Sequence, residues 1–235
     1  MAAPTRKLPY RPVSAGFFSA GTVAVARALL GKILVSESPE GRVAGRIVET
    51  EAYLCDDAAC HASRGETQRN RAMFGPAGRS YTYLIYGMYR CFNVVTGPKG
   101  VGEAVLIRAL EPLEGLDLMA MRRGRAEPKA LCSGPGKLVI ALGISGLPDG
   151  SDLRKGPLIV AEDGRGAEGA AGKQAGERAA GAVAEGAEPS NTAAGEGKAE
   201  ASAKIRVTTR IGISKDAHLP LRFYLEGSPW ISRRG

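Results

Sequence analysis

The chain has 235 residues, 44% of them hydrophobic, and carries a formal net charge of +8 with an isoelectric point near 9.5. That length supports a full core in one domain, and the absence of any run of about 18 uninterrupted apolar residues excludes a membrane-spanning helix. The charge is uneven: residues 161–203 hold eight acidic and four basic side chains, leaving 28 basic and 16 acidic elsewhere, so the rest carries +12. Such an excess suits an anionic partner, with nucleic acid ahead of an acidic membrane surface.

Taken in order, "MAAPTRKLPYRP" lacks the apolar core of a signal peptide, so a cytoplasmic protein is expected. A helix is predicted over 20–30. The run "RVAGRIVETEAYL" (42–54) is rich in β-branched residues and reads as a strand. Alternation then puts Glu49, Glu51 and Tyr53 on one face, with Val48, Thr50, Ala52 and Leu54 on the other. Two carboxylates and a phenol on one side of a strand have two readings. They face solvent at a sheet edge, or they line a cleft in which one glutamate, its pKa raised by burial, acts as a general base.

The loop "CDDAACHASRGETQRNRAMFG" (55–75) follows. It carries His61, one of only two histidines, the other being His218. A lone histidine is by default a satisfied structural residue. His61 differs in sharing its loop with Arg64, Arg69, Asn70 and Arg71, a set suited to phosphate contacts. The four cysteines, Cys55, Cys60, Cys91 and Cys132, form no CxxC pair, and Cys55-x4-Cys60-His61 lacks the second half of a zinc spacing. Reduced thiols and no metal site are expected.

Strands are predicted at 79–87, 90–97 and 103–111, and helices at 113–123 and 133–144. The second helix has Ser133 as its N-cap and Pro135 in its first turn. The first two strands frame "YTYLIYGMYRCFN" (81–93), which holds Tyr81, Tyr83, Tyr86, Tyr89 and Phe92 in a chain with only thirteen aromatics. Such a hairpin packs its aromatics into the core, or presents those at its tip for stacking on bases or wedging between them. "CSGPGK" imitates a phosphate loop but lacks the glycine at 131 and a Ser or Thr after Lys137, so a nucleoside triphosphate site is rejected. The zinc deaminase, G-x-S-x-G and G-x-G-x-x-G signatures are also missing. Residues 161–203, with 24 Ala or Gly among 43 positions, are predicted to be a disordered insertion. Strand character returns in "KIRVTTRIGI" and "LRFYLEGSPW". Strands and helices without regular βαβ alternation point to an α+β fold.

Seven stretches stand in one order: GRIVETEAYL (45–54), H-x-S-R-G (61–65), RN-x-x-MFG (69–75), Y-x-YLIYGMY-x-CFNVV (81–95), EAVLIRALEPLEG (103–115), LCSGPGKL (131–138) and LRFY-x-x-GSPW (221–230). Together they make the chain resemble the alkyladenine (3-methyladenine) DNA glycosylase family across residues 13–160 and 205–232. The resemblance implies a single mixed domain over 1–235, with a curved antiparallel sheet, peripheral helices and a protruding β-hairpin. It implies a monofunctional base-excision repair enzyme, monomeric and without metal or organic cofactor, acting on double-stranded DNA. Such enzymes flip damaged purines (3-methyladenine, 7-methylguanine, hypoxanthine, ethenoadenine) out of the duplex and hydrolyse the N-glycosidic bond.

By the same resemblance Glu51 is the base that activates water, Arg108 helps hold that water, and Glu49 is a supporting residue. Tyr53, His61 and Tyr83 enclose the flipped base, and Asn93 crowds the purine 2-position against guanine. Tyr86 wedges into the minor groove with Met88 and Tyr89 beside it. Apart from the resemblance, their charge makes Arg64, Arg69, Arg71 and Lys137 the expected phosphate contacts. Tyr81 keeps only a core role. The bacterial nucleoid, rather than a nucleus, is the expected location.

Overall fold

The structure of the chain, a computed structural model, describes residues 10–164 and 204–233. Among the described residues there are nine strands: β1 (Tyr10–Pro12), β2 (Ile33–Ser38), β3 (Gly41–Tyr53), β4 (Ser80–Ile85), β5 (Tyr89–Val95), β6 (Ala104–Glu114), β7 (Leu158–Asp163), β8 (Ile205–Thr208) and β9 (Arg222–Leu225). Helices α1 (Thr22–Ala28), α2 (Leu116–Arg123), α3 (Pro128–Leu131) and α4 (Pro135–Leu142) complete an α+β architecture. All strand pairings are antiparallel, in the order β1-β7-β2-β3-β6-β5-β4, with β9 pairing both β3 and β8.

Two-residue periodicity divides the central strands between two environments. Phe92 and Val94 of β5, Val105 and Ile107 of β6, and Ala52 of β3 join Val25, Leu29, Leu138 and Leu142 of α1 and α4 in the main core. The alternate residues, Cys91 and Asn93, Ala104 and Arg108, and Glu51 and Tyr53, therefore face the other side. There the loop over 54–75 covers part of the sheet, and Cys60, Ala62 and Met73 form a second cluster with Tyr81, Val95 and Ala104.

The long strand β3 organises the sheet. Its first half pairs with β2, its second half with β9, and nearly its whole length with β6. Register shifts on either side of Glu49 insert one extra residue in β3, Val48, and one in β6, Arg108, after which the original register resumes. The bulge moves Ile47, not Val48, into the main core with Ala52. Thr50 keeps the expected side, its hydroxyl donating to the Ala26 carbonyl of α1 at 2.8 Å.

Several expected boundaries shift. The helix expected from 113 begins at Leu116, because β6 continues to Glu114. The turn between them needs Gly115, whose left-handed backbone lies so close to Arg42 that a Cβ would sit 2.5 Å from its carbonyl oxygen. Ser133 is not the cap of α4: Gly134, at a positive φ of 157°, takes that place with no side-chain cap, and Ser133 instead accepts from Lys137 Nζ at 3.3 Å. Pro135 does sit in the first turn. Strands β1, β2 and β7 were not predicted, and β7 takes in Ala161–Asp163, the first residues of the stretch read as an insertion. The rest of that stretch, 165–203, lies outside the described residues.

Gly102 clamps the covering loop onto the sheet, since a Cβ there would lie 2.3 Å from Ala62 Cβ and 2.8 Å from Phe74 Cζ. Gly102→Val is therefore expected to destabilise the protein by about 1–3 kcal/mol through overpacking, measured by urea unfolding. Unchanged stability would contradict this account of the loop.

Candidate active site

On the face opposite the main core, a cavity of about 290 Å³ is lined by Tyr53, His61, Tyr81, Tyr83, Tyr86 and Asn93, with Met73, Ile85, Gly212 and Ile213 among the remaining wall residues. The aromatic rings meet at angles their quadrupoles favour. His61 stands edge-on to Tyr83, centroids 4.4 Å apart at 74°, and Tyr81 and Tyr83 lie 5.8 Å apart. Tyr81 was expected only to fill core. It is buried, but its hydroxyl also shares a 2.8 Å hydrogen bond with His61 Nδ1, which fixes the imidazole against the cavity. Burial first, and the Arg69 charge second, hold the His61 pKa below the ordinary histidine value, so the ring is neutral at pH 7. Burial pushes the hydroxyls of Tyr53, Tyr81 and Tyr83 above the ordinary tyrosine range.

Glu49 and Glu51 are both fully buried, which settles the two readings of β3 against a solvent-facing edge. Buried carboxylates require cations and hydrogen-bond donors. Arg108 of β6 supplies both glutamates, donating through Nε to Glu49 Oε1 and through Nη1 to Glu51 Oε2, each at 3.2 Å. Glu51 also accepts the Tyr53 hydroxyl at 3.0 Å and the Ile211 N–H at 2.8 Å. Tyr53 lines the cavity, so the Glu51 carboxylate is one hydrogen bond behind its wall. Desolvation raises the Glu51 pKa above the ordinary carboxylate value, against the opposing pull of Arg108, the Ile211 N–H and the Tyr53 hydroxyl, with Glu49 adding to the rise.

The hairpin tip is the other unusual element. Tyr86 and Gly87 both have positive φ, 51° and 70°, and the Met88 N–H donates to the Ile85 carbonyl at 3.2 Å. Positive φ at both central residues is the mark of the mirror-image turn that hairpins favour. Gly87 adopts it freely, whereas Tyr86 is an uncommon residue for that region. Of the six large hydrophobics exposed among the described residues, four (Leu84, Tyr86, Met88 and Tyr89) belong to this hairpin, so it presents an apolar tip beside the cavity.

The basic residues are divided. Arg64 and Arg69 line a smaller cleft of about 190 Å³ that backs onto His61 and Tyr81, and Arg69 reaches the Leu84 carbonyl of the hairpin at 3.4 Å. Exposed Arg71 pairs with Glu66 at 3.2 Å. Lys137 follows Gly136, which packs against Tyr89, so the start of α4 adjoins the hairpin. Asn70 does not join the surface set: its buried amide donates to the His61 and Gly65 carbonyls and accepts from Thr67, tying the loop together. His218 is exposed and lies outside the cavity lining. The four cysteines are free thiols, only Cys55 of them exposed.

Sequence reasoning missed the contribution of residues 210–232. Arg210 lies 4.7 Å over the Tyr53 ring and forms a two-pronged ion pair with Asp57. Arg222 Nε donates to Glu49 Oε1 at 2.7 Å. The one available signal was Arg222 itself, a charge inside the apolar strand run "LRFYL". Three buried carboxylates (Glu49, Glu51, Asp57) are thus matched by three buried guanidinium groups (Arg108, Arg210, Arg222). Arg210→Met strands the Asp57 charge and is expected to cost about 3–5 kcal/mol in urea unfolding, with most of it recovered in the double variant Asp57→Asn/Arg210→Met. A loss below about 1 kcal/mol would contradict the pairing.

The family model for methylpurine-DNA glycosylase (MPG) matches residues 16–188. A relative from Methanoculleus marisnigri, bearing the name "Putative 3-methyladenine DNA glycosylase", is 50% identical over 220 residues, covering 94% of this chain and 98% of its own. Proteins of the same name from Mesorhizobium japonicum and Carboxydothermus hydrogenoformans are 42% and 40% identical, covering 94% and 93% of this chain and 90% and 97% of their own. With the aromatic cavity, the buried Glu51–Arg108 pair and a family match across most of its length, the chain belongs to the methylpurine-DNA glycosylase family.

Proposed function

We propose that the protein flips alkylated or deaminated purines, among them 3-methyladenine, 7-methylguanine and hypoxanthine, out of duplex DNA and hydrolyses their N-glycosidic bond. Family membership supports a DNA glycosylase acting in DNA repair. The choice of damaged purines as substrates rests on one juxtaposition: a buried, arginine-held carboxylate one hydrogen bond behind an aromatic cavity whose rim carries an exposed tyrosine.

Each part has a physical reason. Glycosidic cleavage passes through an oxocarbenium-like sugar, and Glu51 both stabilises that charge and takes a proton from the attacking water. Arg108 keeps the carboxylate ionised and holds the water. Tyr53, His61 and Tyr83 enclose the flipped base. Electron-rich faces favour cationic alkylpurines by about 0.5–2 kcal/mol per contact. The Asn93 amide donates to the Tyr81 carbonyl at 3.2 Å, which fixes its orientation in the cavity wall; in this reading it crowds the purine 2-position and disfavours guanine. Flipping costs a few kcal/mol of stacking and pairing. Tyr86 offsets this by filling the gap, flanked by Met88 and Tyr89, while Arg64, Arg69, Arg71 and Lys137 neutralise phosphates.

Glu51→Gln is expected to abolish release of a cationic N-methylpurine from duplex DNA under single-turnover conditions while DNA binding persists, and retained excision would remove Glu51 as the base. The base works ionised, so the rate falls as pH drops through its pKa. Burial raises that pKa, so the wild-type acid limb is expected to centre above the ordinary glutamate value of 4.5. A limb centred at or below that value would contradict the burial argument. Tyr86→Ala is expected to lose the fluorescence change of a base analogue that reports flipping, and an unaltered signal would exclude Tyr86 as the wedge.

A further inference from the structure

The chain after β9 turns back onto the charged cluster. Ser232 donates its backbone N–H to Glu49 Oε2 at 2.5 Å and its hydroxyl to Glu49 Oε1 at 2.9 Å. The same hydroxyl oxygen accepts from Arg108 Nη2 at 3.4 Å. Arg222 joins from β9, donating to Glu49 through Nε and to the Arg233 carbonyl through Nη2. Glu49 therefore has donors from three separate elements, and none of its contacts reaches the cavity. What it does hold is Arg108, whose guanidinium spans the two glutamates.

A guanidinium is planar and rigid, so fixing two of its nitrogens fixes the third. With Nε on Glu49 and Nη2 on Ser232, Nη1 is aimed at Glu51. Ser232 is the junction, because it touches both the carboxylate and the guanidinium that the carboxylate orients. Without its hydroxyl, Glu49 loses one donor, Arg108 Nη2 loses its acceptor, and the arginine is free to tilt away from Glu51.

We propose that Ser232 is a positioning residue for base excision: through Glu49 and Arg108 it fixes the orientation of the Glu51 carboxylate. This inference rests on the reading of Glu51 as the base. It makes residues near 232, far in sequence from every cavity-lining residue before Gly212, part of the catalytic apparatus. Glu49, in turn, competes with Glu51 for the Arg108 charge. The charged or titratable groups around Glu51 are Glu49 and Tyr53 on its own strand, Arg108 on β6, Tyr83 on β4, Cys91 on β5, Arg210 before the Ile211 donor, and Arg222 on β9. Only Glu49 is a second carboxylate bonded to Arg108, so neutralising it leaves the arginine wholly to Glu51.

The test measures single-turnover release of a cationic N-methylpurine from duplex DNA by the full chain carrying Ser232→Ala, Ser232→Thr, Glu49→Gln or Glu51→Gln. Loss of a hydrogen bond to charged partners is expected to slow Ser232→Ala about tenfold, with affinity for the abasic product duplex unchanged. Ser232→Thr, which keeps the hydroxyl, is expected to restore the rate. Glu49→Gln is expected to move the acid limb of the pH–rate profile to lower pH by removing the carboxylate that shares Arg108, and Ser232→Cys, which keeps the volume but bonds only weakly, replaces Ser232→Ala if that variant fails to fold. The proposal is overturned by a wild-type rate in Ser232→Ala, by equal slowing in Ser232→Ala and Ser232→Thr, or by an acid limb in Glu49→Gln that stays in place. If Glu51→Gln remains active, the reading of the base falls first and the inference falls with it. If Glu51→Gln is inactive and Ser232→Ala is not slowed, only the inference falls.

Discussion

Two carboxylates buried two residues apart on one face of β3 set the terms for the rest of this molecule. Neither Glu49 nor Glu51 can remain charged in the sheet without a cation at hydrogen-bond distance. Arg108 answers both from the neighbouring strand, and its fork geometry suits a bridge between two acids in a way that a lysine point charge would not. Once that bridge exists, the other contacts follow as compensation. Arg222 and Ser232 complete Glu49, while Tyr53 and the Ile211 N–H complete Glu51.

The same constraint explains how widely separated stretches converge. β3 supplies the acids, β6 the shared cation, and residues 210–232 the remaining donors, so the cluster joins both sequence sides of residues 165–203. The cavity forms against this rigid base. Tyr53 is held on one side by Glu51 and stacked under Arg210 on the other, and His61 is tied to Tyr81. A wall whose rings are already hydrogen-bonded and stacked has little freedom left to lose when a ligand binds. The hairpin tip, by contrast, is exposed and carries a tyrosine with positive φ at its apex, held by the mirror-image turn that closes on the Ile85 carbonyl.

Much of this was legible in the sequence, and the reasons are specific. Alternation in "VETEAYL" placed Glu49, Glu51 and Tyr53 together, and the Tyr-Gly pair marked the hairpin tip. What alternation could not supply was depth. Whether the acid pair faced solvent or the interior depended on β9, which pairs with β3 from more than 170 residues away. The bulge at Val48 altered the parity of the strand, and nothing local signals it. Tyr81 read as core because its burial and its hydroxyl's partner are separate facts, and the partner, His61, lies in an irregular loop. Ser133 resembled a helix cap, but Gly134 beside it, with its positive φ, took that place. The grouping of Asn70 with the arginines failed for a similar reason, since its amide is used within its own loop.

The proposed excision of damaged purines, with the arginine-bridged Glu51 as base beside the aromatic cavity, can be read out in one assay: the full chain is incubated with duplexes that each carry a single modified purine, and free base is measured together with abasic sites. The expected result is release of the intact modified base, an alkali-labile site in an otherwise unbroken strand, and no release from the undamaged duplex. Absence of free base from every modified duplex, or a strand broken without alkali, would contradict it.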